Sequence, residues 1–405
     1  MRGVVTIRET GLPERAYDVA IIGGGNLGLW TAHRLAARSF GTIAVLERGW
    51  AGGGATTRSA GVVRQQGGSY VAALLGRLSR TLYLELGDRL GIDSGFREHG
   101  YYIMAQSEGD KVVFLELINV RAEAGVDSEW VEPHEGKRRF HDLDWNLFTG
   151  ATYCAQDGFV HPAIAARNIT YAALDDPSVD LYEMCEVSSI EHSGNLYSLE
   201  TTRGTIAAER VVNAGGPRGS REVGTMVDVD VPVRAVRHQV VTFPFLPDGV
   251  THPLPLMFNL GKGYYVRPEE QGALLGMSNP ADESDRSDRY QLDYDFGYHN
   301  KLRLEWEAEF PALRNLPISR SWAASIDYTP DHLPIIDQPR EGFFVVAAGG
   351  HGMMWGPALG EKTAELIAEG NISELPSGDI ELVRFSEQGR SAAADSIALP
   401  FPQGE

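Results

Sequence analysis

The chain has 405 residues, 43% hydrophobic and 22% charged, the balance of an ordinary globular protein too long for one simple core, which suggests two joined domains. Lysine plus arginine total 36 against 55 aspartate plus glutamate, a net charge of -19, which argues against nucleic acid or an anionic membrane as a partner. Only Cys154 and Cys185 occur, which excludes a disulfide framework and a CxxC metal pair. The N-terminus carries Arg2, Arg8 and Arg15 but no apolar run, and no stretch approaches about 18 apolar residues, so neither a signal peptide nor membrane insertion is expected. A cytoplasmic location is the default.

Tyr17–Ile22 reads as a buried strand, followed at once by Gly23-x-Gly25-x-x-Gly28. Residues Asn26–Ala37 have helical character, with Leu27, Trp30, Leu35 and Ala36 as packing positions, and Gly41 ends the segment. Thr42–Glu47 is the second strand. In such a strand–turn–helix–strand unit Gly23 permits the tight turn, Gly25 lets a pyrophosphate approach the backbone, and Gly28 lets helix and strand pack closely. Asn26 and Leu27 open the helix, whose free N–H groups and dipole favour an anion. Glu47, 19 residues after Gly28, is placed to accept both ribose hydroxyls and to repel a 2′-phosphate. The bland reading, a glycine-rich loop without ligand, loses to the register of strand, helix and acid. The motif alone does not separate FAD from NAD.

The run from Arg48 to Arg64 is rich in small residues, so its backbone can lie against a flat ligand. The hydroxyls of Thr56, Thr57 and Ser59 and the guanidinium groups of Arg48 and Arg58 can meet phosphate. Further on, Tyr101–Ala105 is strand-like, 164–173 is helical, and strand-like runs cover 179–187, 187–190, 197–202 and 205–212 before a turn at Asn213. Runs at 231–242, 263–267 and 273–277 suit an antiparallel sheet; 281–288 reads as an exposed loop and 301–310 as a helix. Phe343–Ala348 reads as a buried parallel strand. It leads into Gly349-Gly350-His351-Gly352-Met353-Met354 and a helix from about Ala358 to Ala368.

These segments together resemble the D-amino-acid-oxidase superfamily of flavoenzymes. The closest likeness is to the branch holding sarcosine oxidase, dimethylglycine dehydrogenase and glycine oxidase. The resemblance rests on the Glu47 strand, on Gly53-Gly54-Ala55-Thr56-Thr57-Arg58-Ser59-Ala60-Gly61-Val62-Val63-Arg64, on Asp157–Pro162, on Val211–Gly216, on Trp322–Ile336 and on Gly350–Met353, and spans about residues 17–370. It implies an α/β fold. A discontinuous Rossmann-like FAD-binding domain of the glutathione-reductase type would comprise residues 1–95, 151–229 and 329–384. An antiparallel-sheet α+β substrate domain would comprise 96–150 and 230–328, with 385–405 a C-terminal tail. It also implies FAD contacts at Arg48, Thr56, Thr57, Arg58, Ser59, Val187, Ala214, Gly215, Gly350, His351, Gly352, Met353 and Met354, besides the motif residues above.

Departures from the family pattern carry further expectations. Residues 51–66 contain no histidine and Ala324 stands near the position of a tethering cysteine, so FAD is expected to bind non-covalently. Met354 and Leu274 stand where relatives carry a carboxylate-binding and an oxygen-activating lysine, which points to a dehydrogenase or a slow oxidase. Arg64 matches an arginine that binds the substrate carboxylate. Arg267 is a second carboxylate anchor or a surface or interdomain ion pair, and Tyr265 a pocket wall or a core tyrosine. His351 is a catalytic base or, by preference, a turn residue, and His238 is structural. The resulting reading is FAD-dependent oxidation of the C–N bond of a small amine or amino acid, a secondary or tertiary amine or a D-amino acid, by hydride transfer to flavin N5, giving an imine. Electrons would pass to oxygen or another acceptor. The alternative is an FAD subunit of a larger electron-transferring complex with a partner subunit.

Overall fold

A computed structural model describes residues 12–251, 253–283, 295–376 and 378–386. Its first sheet has a parallel heart ordered Val179–Tyr182, Ile43–Leu46, Tyr17–Ile22, Gly204–Asn213, Phe343–Ala347. Tyr17–Ile22, Ile43–Leu46 and Phe343–Ala347 are almost wholly apolar because both faces are covered. Alternation divides them. Val19 and Ile21 face a core shared with the Asn26–Ala37, Tyr70–Leu90 and Gly352–Glu369 helices, while Ala20 and Ile22 face the opposite one. Gly204–Asn213 is long enough to pair twice along one edge: its start meets Leu196–Thr201 antiparallel and its end meets Phe343–Ala347 parallel.

A second sheet of eight strands runs Arg320–Tyr328, Arg234–Phe243, Gly272–Glu283, Tyr264–Glu269, Leu256–Asn259, Tyr101–Ala105, Gly150–Cys154, Glu129–Val131. All neighbours are antiparallel except Leu256–Asn259 with Tyr101–Ala105. One face packs on the Phe296–Glu309 helix through Tyr264, Val266 and Trp306. Residues 151–154 belong to this sheet, because Tyr101–Ala105 pairs with Gly150–Cys154 along its whole length. A three-stranded sheet of Val62–Val63, Gly158–Val160 and Phe96–Glu98 adjoins the loop that follows Glu47.

Several elements differ from the sequence reading. Residues Ala281–Glu283 continue a strand rather than a loop, and the rest of that run lies outside the described residues. So do residues 387–405 of the expected tail, but Phe385 closes a 3-10 turn and packs on the first sheet's core. Helix Tyr70–Leu90, capped by Ser69 and ended by Gly91 in the left-handed region, and helix Glu108–Glu123, opened by a Ser107–Asp110 capping box, were not assigned from sequence.

The last helix starts at Gly352, not near Ala358. Pro357 lies inside it and lacks the N–H that would bond the Met353 carbonyl, which would normally break a helix there. Instead the Tyr83 hydroxyl donates to Met353 O at 2.8 Å. The orphaned acceptor is satisfied from another helix, and the first turn survives.

Glycines let the first and last helices touch. A Cβ on Gly356 would stand 2.2 Å from Asn26 Nδ2, and one on Gly360 2.4 Å from Trp30 Cβ. Gly28 is the tightest of the motif glycines: a Cβ there would lie 2.0 Å from Gly23 O, a backbone atom with nowhere to move. Gly28→Ala should therefore destabilise the fold itself by roughly 1–3 kcal/mol, as overpacking does. Chemical denaturation of the cofactor-free protein is the measurement, and an unchanged midpoint would contradict this packing.

Candidate functional site

A cleft with about 1780 Å3 of space, part of it open to solvent, runs between the two large sheets. Its lining draws on both sheets and on both ends of the chain, as the site of an extended ligand would. At one end lie Glu47, Arg48, Val187, Ala214 and Gly215, and at the other Arg64, Tyr265 and His351. Glu47 is oriented by two backbone donors, Gly24 N to Oε2 and Gly49 N to Oε1, both at 2.8 Å. Each oxygen keeps a further acceptor site, as a diol would need. Arg48 stands 3.7 Å from Glu222 and 3.9 Å from Glu186, all three lining the same end.

Two helix N-termini open on the cleft. Asn26–Ala37 begins at Gly25 and Gly352–Glu369 at His351, and neither has a side-chain cap. Gly25, Asn26 and Leu27 of one, and Gly350, His351, Gly352, Met353 and Met354 of the other, line the space. Uncapped N–H groups with an aligned dipole suit a diphosphate at the first and developing negative charge on a ring system at the second. The glycines test the fit. Cβ atoms on Gly23 and Gly28 would strike the protein at 2.3 and 2.0 Å, whereas one on Gly25 or Gly352 meets nothing closer than 3.4 or 3.6 Å. The side chains missing from Gly25 and Gly352 therefore leave the cleft, rather than the core, clear.

Asn26 is buried and joins the two helices, its Nδ2 donating to Gly352 O at 2.9 Å and to Tyr83 Oη at 3.1 Å. Asn26 N is bonded by Thr56 Oγ1 at 3.0 Å. On the short Ala55–Arg58 helix adjacent side chains diverge, so Thr57 points away: it is exposed and its hydroxyl donates to Gly52 O at 3.0 Å. Thr57 and Gly28 do not line the cleft, contrary to their expected contact with FAD. Gly28 acts through packing. Arg58 and Ser59 do line it, Arg58 donating to Gly53 O and Gly54 O, with its carbonyl accepting from Trp322 Nε1 at 2.9 Å.

The second sheet supplies the other wall by alternation. Tyr264 and Val266 enter its core, and Tyr265 turns to the cleft. Tyr265 Oη and His238 Nε2 are 2.6 Å apart with stacked rings, and both line the cleft. Burial pushes the Tyr265 phenol far up and brings His238 down to about 4, so at neutral pH both are uncharged. His238, read from sequence as structural, is therefore beside the space; its strand hid this, because partner Tyr265 is 27 residues away.

Arg267 sits two residues past Tyr265, about 7 Å further along the strand. It is buried outside the cleft, with Nη1 2.6 Å from Glu269, Nε donating to Ala60 O at 2.7 Å, and Phe159 against its guanidinium. Its ion pair lies within its own strand, and its link to the FAD-side elements is the hydrogen bond to Ala60 O, so it lies away from the cleft where a carboxylate anchor was expected. Arg64 differs: it lines the cleft, is 8% exposed, donates Nη1 to Gln66 O at 2.9 Å, and has no carboxylate within 4.0 Å among the described residues. His351 stacks on Trp355, its Nδ1 lies 3.1 Å from Gly349 O, and burial first, then Arg64, takes it down to about 3. So weak a base suits a turn residue. Asp327 was not foreseen: it lines the cleft, accepts from Ala348 N at 2.7 Å and is pushed up to about 6 by burial. Leu274 is buried on Ala60 and Val240, and Ala324 lines the cleft.

Known proteins resemble this chain in sequence and in fold. A profile of the DAO family, described as FAD dependent oxidoreductase, matches residues 18–366. The sarcosine oxidase subunit beta of Rhodobacter capsulatus is 27% identical over 389 residues, covering 93% of this chain and 90% of that one. The glycine oxidase of Geobacillus kaustophilus is 30% identical over 367 residues, covering 87% and 93%. The crystal structure of L-proline dehydrogenase from P. horikoshii superposes with a TM-score of 0.83 at 27% identity, covering 92% of this chain and 98% of that one. No helix among the described residues is long and apolar enough to cross a membrane.

Two outcomes follow from the site. Gly25→Ala should leave the cofactor-free protein's unfolding midpoint nearly unchanged while weakening dinucleotide affinity about tenfold or more, equivalent to about 1.4 kcal/mol, measured by equilibrium titration. The pH dependence of stability has a definite sign. His33, His238 and His351, lowered by burial to about 4, 4 and 3, bind protons more readily when unfolded. Stability should thus be full above about pH 6.5 and fall below it by about 1.4 kcal/mol per pH unit for each histidine. Asp327, raised by burial, opposes this below about 6 by taking up its proton in the folded state. Urea unfolding at pH 7 and pH 5 measures the difference, and equal stability at both would contradict three buried neutral imidazoles.

Proposed function

Since this chain belongs to the DAO family of FAD-dependent oxidoreductases, we propose that it oxidises the C–N bond of a small amino acid, a secondary or tertiary amine or a D-amino acid, with Arg64 holding the carboxylate. The observation that carries this reading is Arg64 itself, a buried guanidinium that borders the cleft without a carboxylate partner among the described residues. Such a group is costly unless an anion meets it. The printed names of the relatives, a sarcosine oxidase subunit, a glycine oxidase and an L-proline dehydrogenase, support the same substrate class.

The residues that would hold FAD are Gly25, Asn26 and Leu27 at the diphosphate, Glu47 at the ribose, Arg48, Val187, Ala214 and Gly215 at the adenosine end, Thr56, Arg58 and Ser59 along its length, and Gly350 to Met354 at the ring system. FAD bound there supplies the hydride acceptor, and an imine is the product. The chain orients and desolvates. Arg64 offers a planar fork to the carboxylate. Tyr265 and His238 share one hydrogen between Oη and Nε2. Held neutral, they favour an uncharged amine beside them, whose lone pair is free to assist loss of hydride.

Ala324 at the cleft wall supports non-covalent binding of FAD. No lysine lines the cleft among the described residues, and Met354 and buried Leu274 stand where relatives resembled in sequence carry one. Less positive charge there gives less help to electron transfer to oxygen, which supports a dehydrogenase or a slow oxidase. A second reading, an FAD subunit passing electrons to a partner protein, draws support from the "subunit beta" in one relative's name and keeps the same cleft chemistry.

The test is anaerobic titration of the FAD-loaded protein with a panel of N-methyl, D- and cyclic amino acids. At least one should bleach the flavin's visible absorbance. Arg64→Gln should weaken that substrate by about 10–100-fold, the loss expected for a charge-assisted contact, and spare amines without a carboxylate. Acid precipitation should release the yellow colour into the supernatant. A flavin that no member of the panel bleaches would end the reading.

A further inference from the structure

Behind Arg64 lies a buried polar cluster that the chemistry above does not use. Residues 64–67 form no regular structure, yet Arg64, Gln65, Gln66 and Gly67 are all buried, so their polar groups need partners from elsewhere. Two distant residues provide them. Asp157, wholly buried before the Gly158–Val160 strand, accepts from Gln65 N at 2.7 Å, Gln65 Nε2 at 3.3 Å and Gln66 Nε2 at 3.1 Å. Arg121, near the end of the Glu108–Glu123 helix, donates Nε to Gly67 O at 2.9 Å. Gln66 Nε2 also donates to Tyr101 O at 2.8 Å, and Gln66 O receives Arg64 Nη1 at 2.9 Å. Asp157 and Arg121 thus hold the peptide whose carbonyl holds the guanidinium.

Arg121 is an expensive residue to keep. It is 0% exposed, and neither Nη1 nor Nη2 has a hydrogen-bond partner among the described residues. Burial, then the neighbouring charge of Arg64, brings it down to about 10, against the pull of Asp157. A structural core position would favour an apolar side chain here. Burial pushes the Asp157 carboxyl up, while the three N–H bonds it receives pull the other way and favour its negative charge. Two arginines then face one carboxylate, and the corner behind the cleft holds one positive charge in excess.

We propose that Arg121 and Asp157 are positioning residues of the Arg64 anion site, fixing the Gln65–Gly67 segment so that the guanidinium is aimed into the cleft before substrate arrives, and leaving one excess positive charge to be met by one carboxylate. This rests on Arg64 being the carboxylate anchor. It adds that the anchor is set from the side away from the ligand, by residues drawn from two other elements.

Acetate, the smallest carboxylate probe, is titrated into the FAD-loaded protein and followed by the shift of the flavin's visible spectrum, with thermal unfolding recorded alongside. Arg64→Gln should abolish the response. Arg121→Gln and Asp157→Asn should each weaken acetate by about tenfold to a hundredfold, as misplacement of a binding group does. Arg121→Lys should recover most of the loss. Asp157→Asn is decisive: it removes a negative charge near Arg64, so charge alone would tighten acetate binding, whereas loss of positioning weakens it. Unchanged or tighter acetate in Asp157→Asn, with Arg64→Gln silent, overturns the proposal and spares the anchor. Acetate binding that survives Arg64→Gln, or its absence from the unaltered protein, overturns both. If Arg121→Gln does not fold, Asp157→Asn and Arg121→Lys still decide.

Discussion

The close crossing of the first and last long helices is the contact on which the rest of this protein depends. Asn26 Nδ2 donates to Gly352 O at 2.9 Å across 326 residues of sequence. Gly356 and Gly360 leave room for Asn26 and Trp30 to seat against the last helix. The crossing brings two helix N-termini, neither capped by its own N-cap side chain, to one cleft, and two aligned dipoles converge there, as the proposed diphosphate and ring-system sites require. A proline inside the last helix would have displaced that N-terminus. Tyr83, bonding both Met353 O and Asn26, holds it in place. One tyrosine thus satisfies a helix defect and braces the crossing.

The second sheet makes the cleft an active site rather than a cofactor groove. Its alternating strands send Tyr264 and Val266 into one core and Tyr265, beside His238, towards the other face. The electrostatics of that chamber are simple. Burial keeps His238 and His351 neutral, so arginines provide the positive charge lining the cleft among the described residues. Arg64 is the one near His351, whose charged form it disfavours. In the proposed reading, a cationic anchor among neutral proton carriers would discriminate by charge at one end of the substrate and by desolvation at the other.

Local chemistry made much of this legible. Gly23, Gly25, Gly28 and Glu47 lie on consecutive elements, so strand, turn, helix and acid could be read from about 30 residues. The structure keeps Tyr17–Ile22 and Asn26–Ala37 as read. Where tertiary contacts override local signals, the reading drifted. The helix read from about Ala358 begins at Gly352, where Tyr83 bonds the carbonyl that Pro357 leaves without a partner. Thr57 looked equivalent to Thr56 until one turn of helix separated their directions. Arg267 shares a strand face with Tyr265, but its distance along the strand carries it under Ala60 and onto Glu269.

The sequence by itself determined a dinucleotide cofactor, because a dinucleotide is held by backbone geometry that glycines and one acid encode locally, and its resemblance over several further segments pointed to the family. Only the tertiary structure decided that Arg64 borders the cleft and Arg267 does not, that His238 meets Tyr265, that Asp327 borders the space, and that Arg121 and Asp157 stand behind Arg64. Those relations join residues tens to hundreds of positions apart. Burial, partner and direction are set by the packing of whole sheets and helices, and no spacing in the chain carries them.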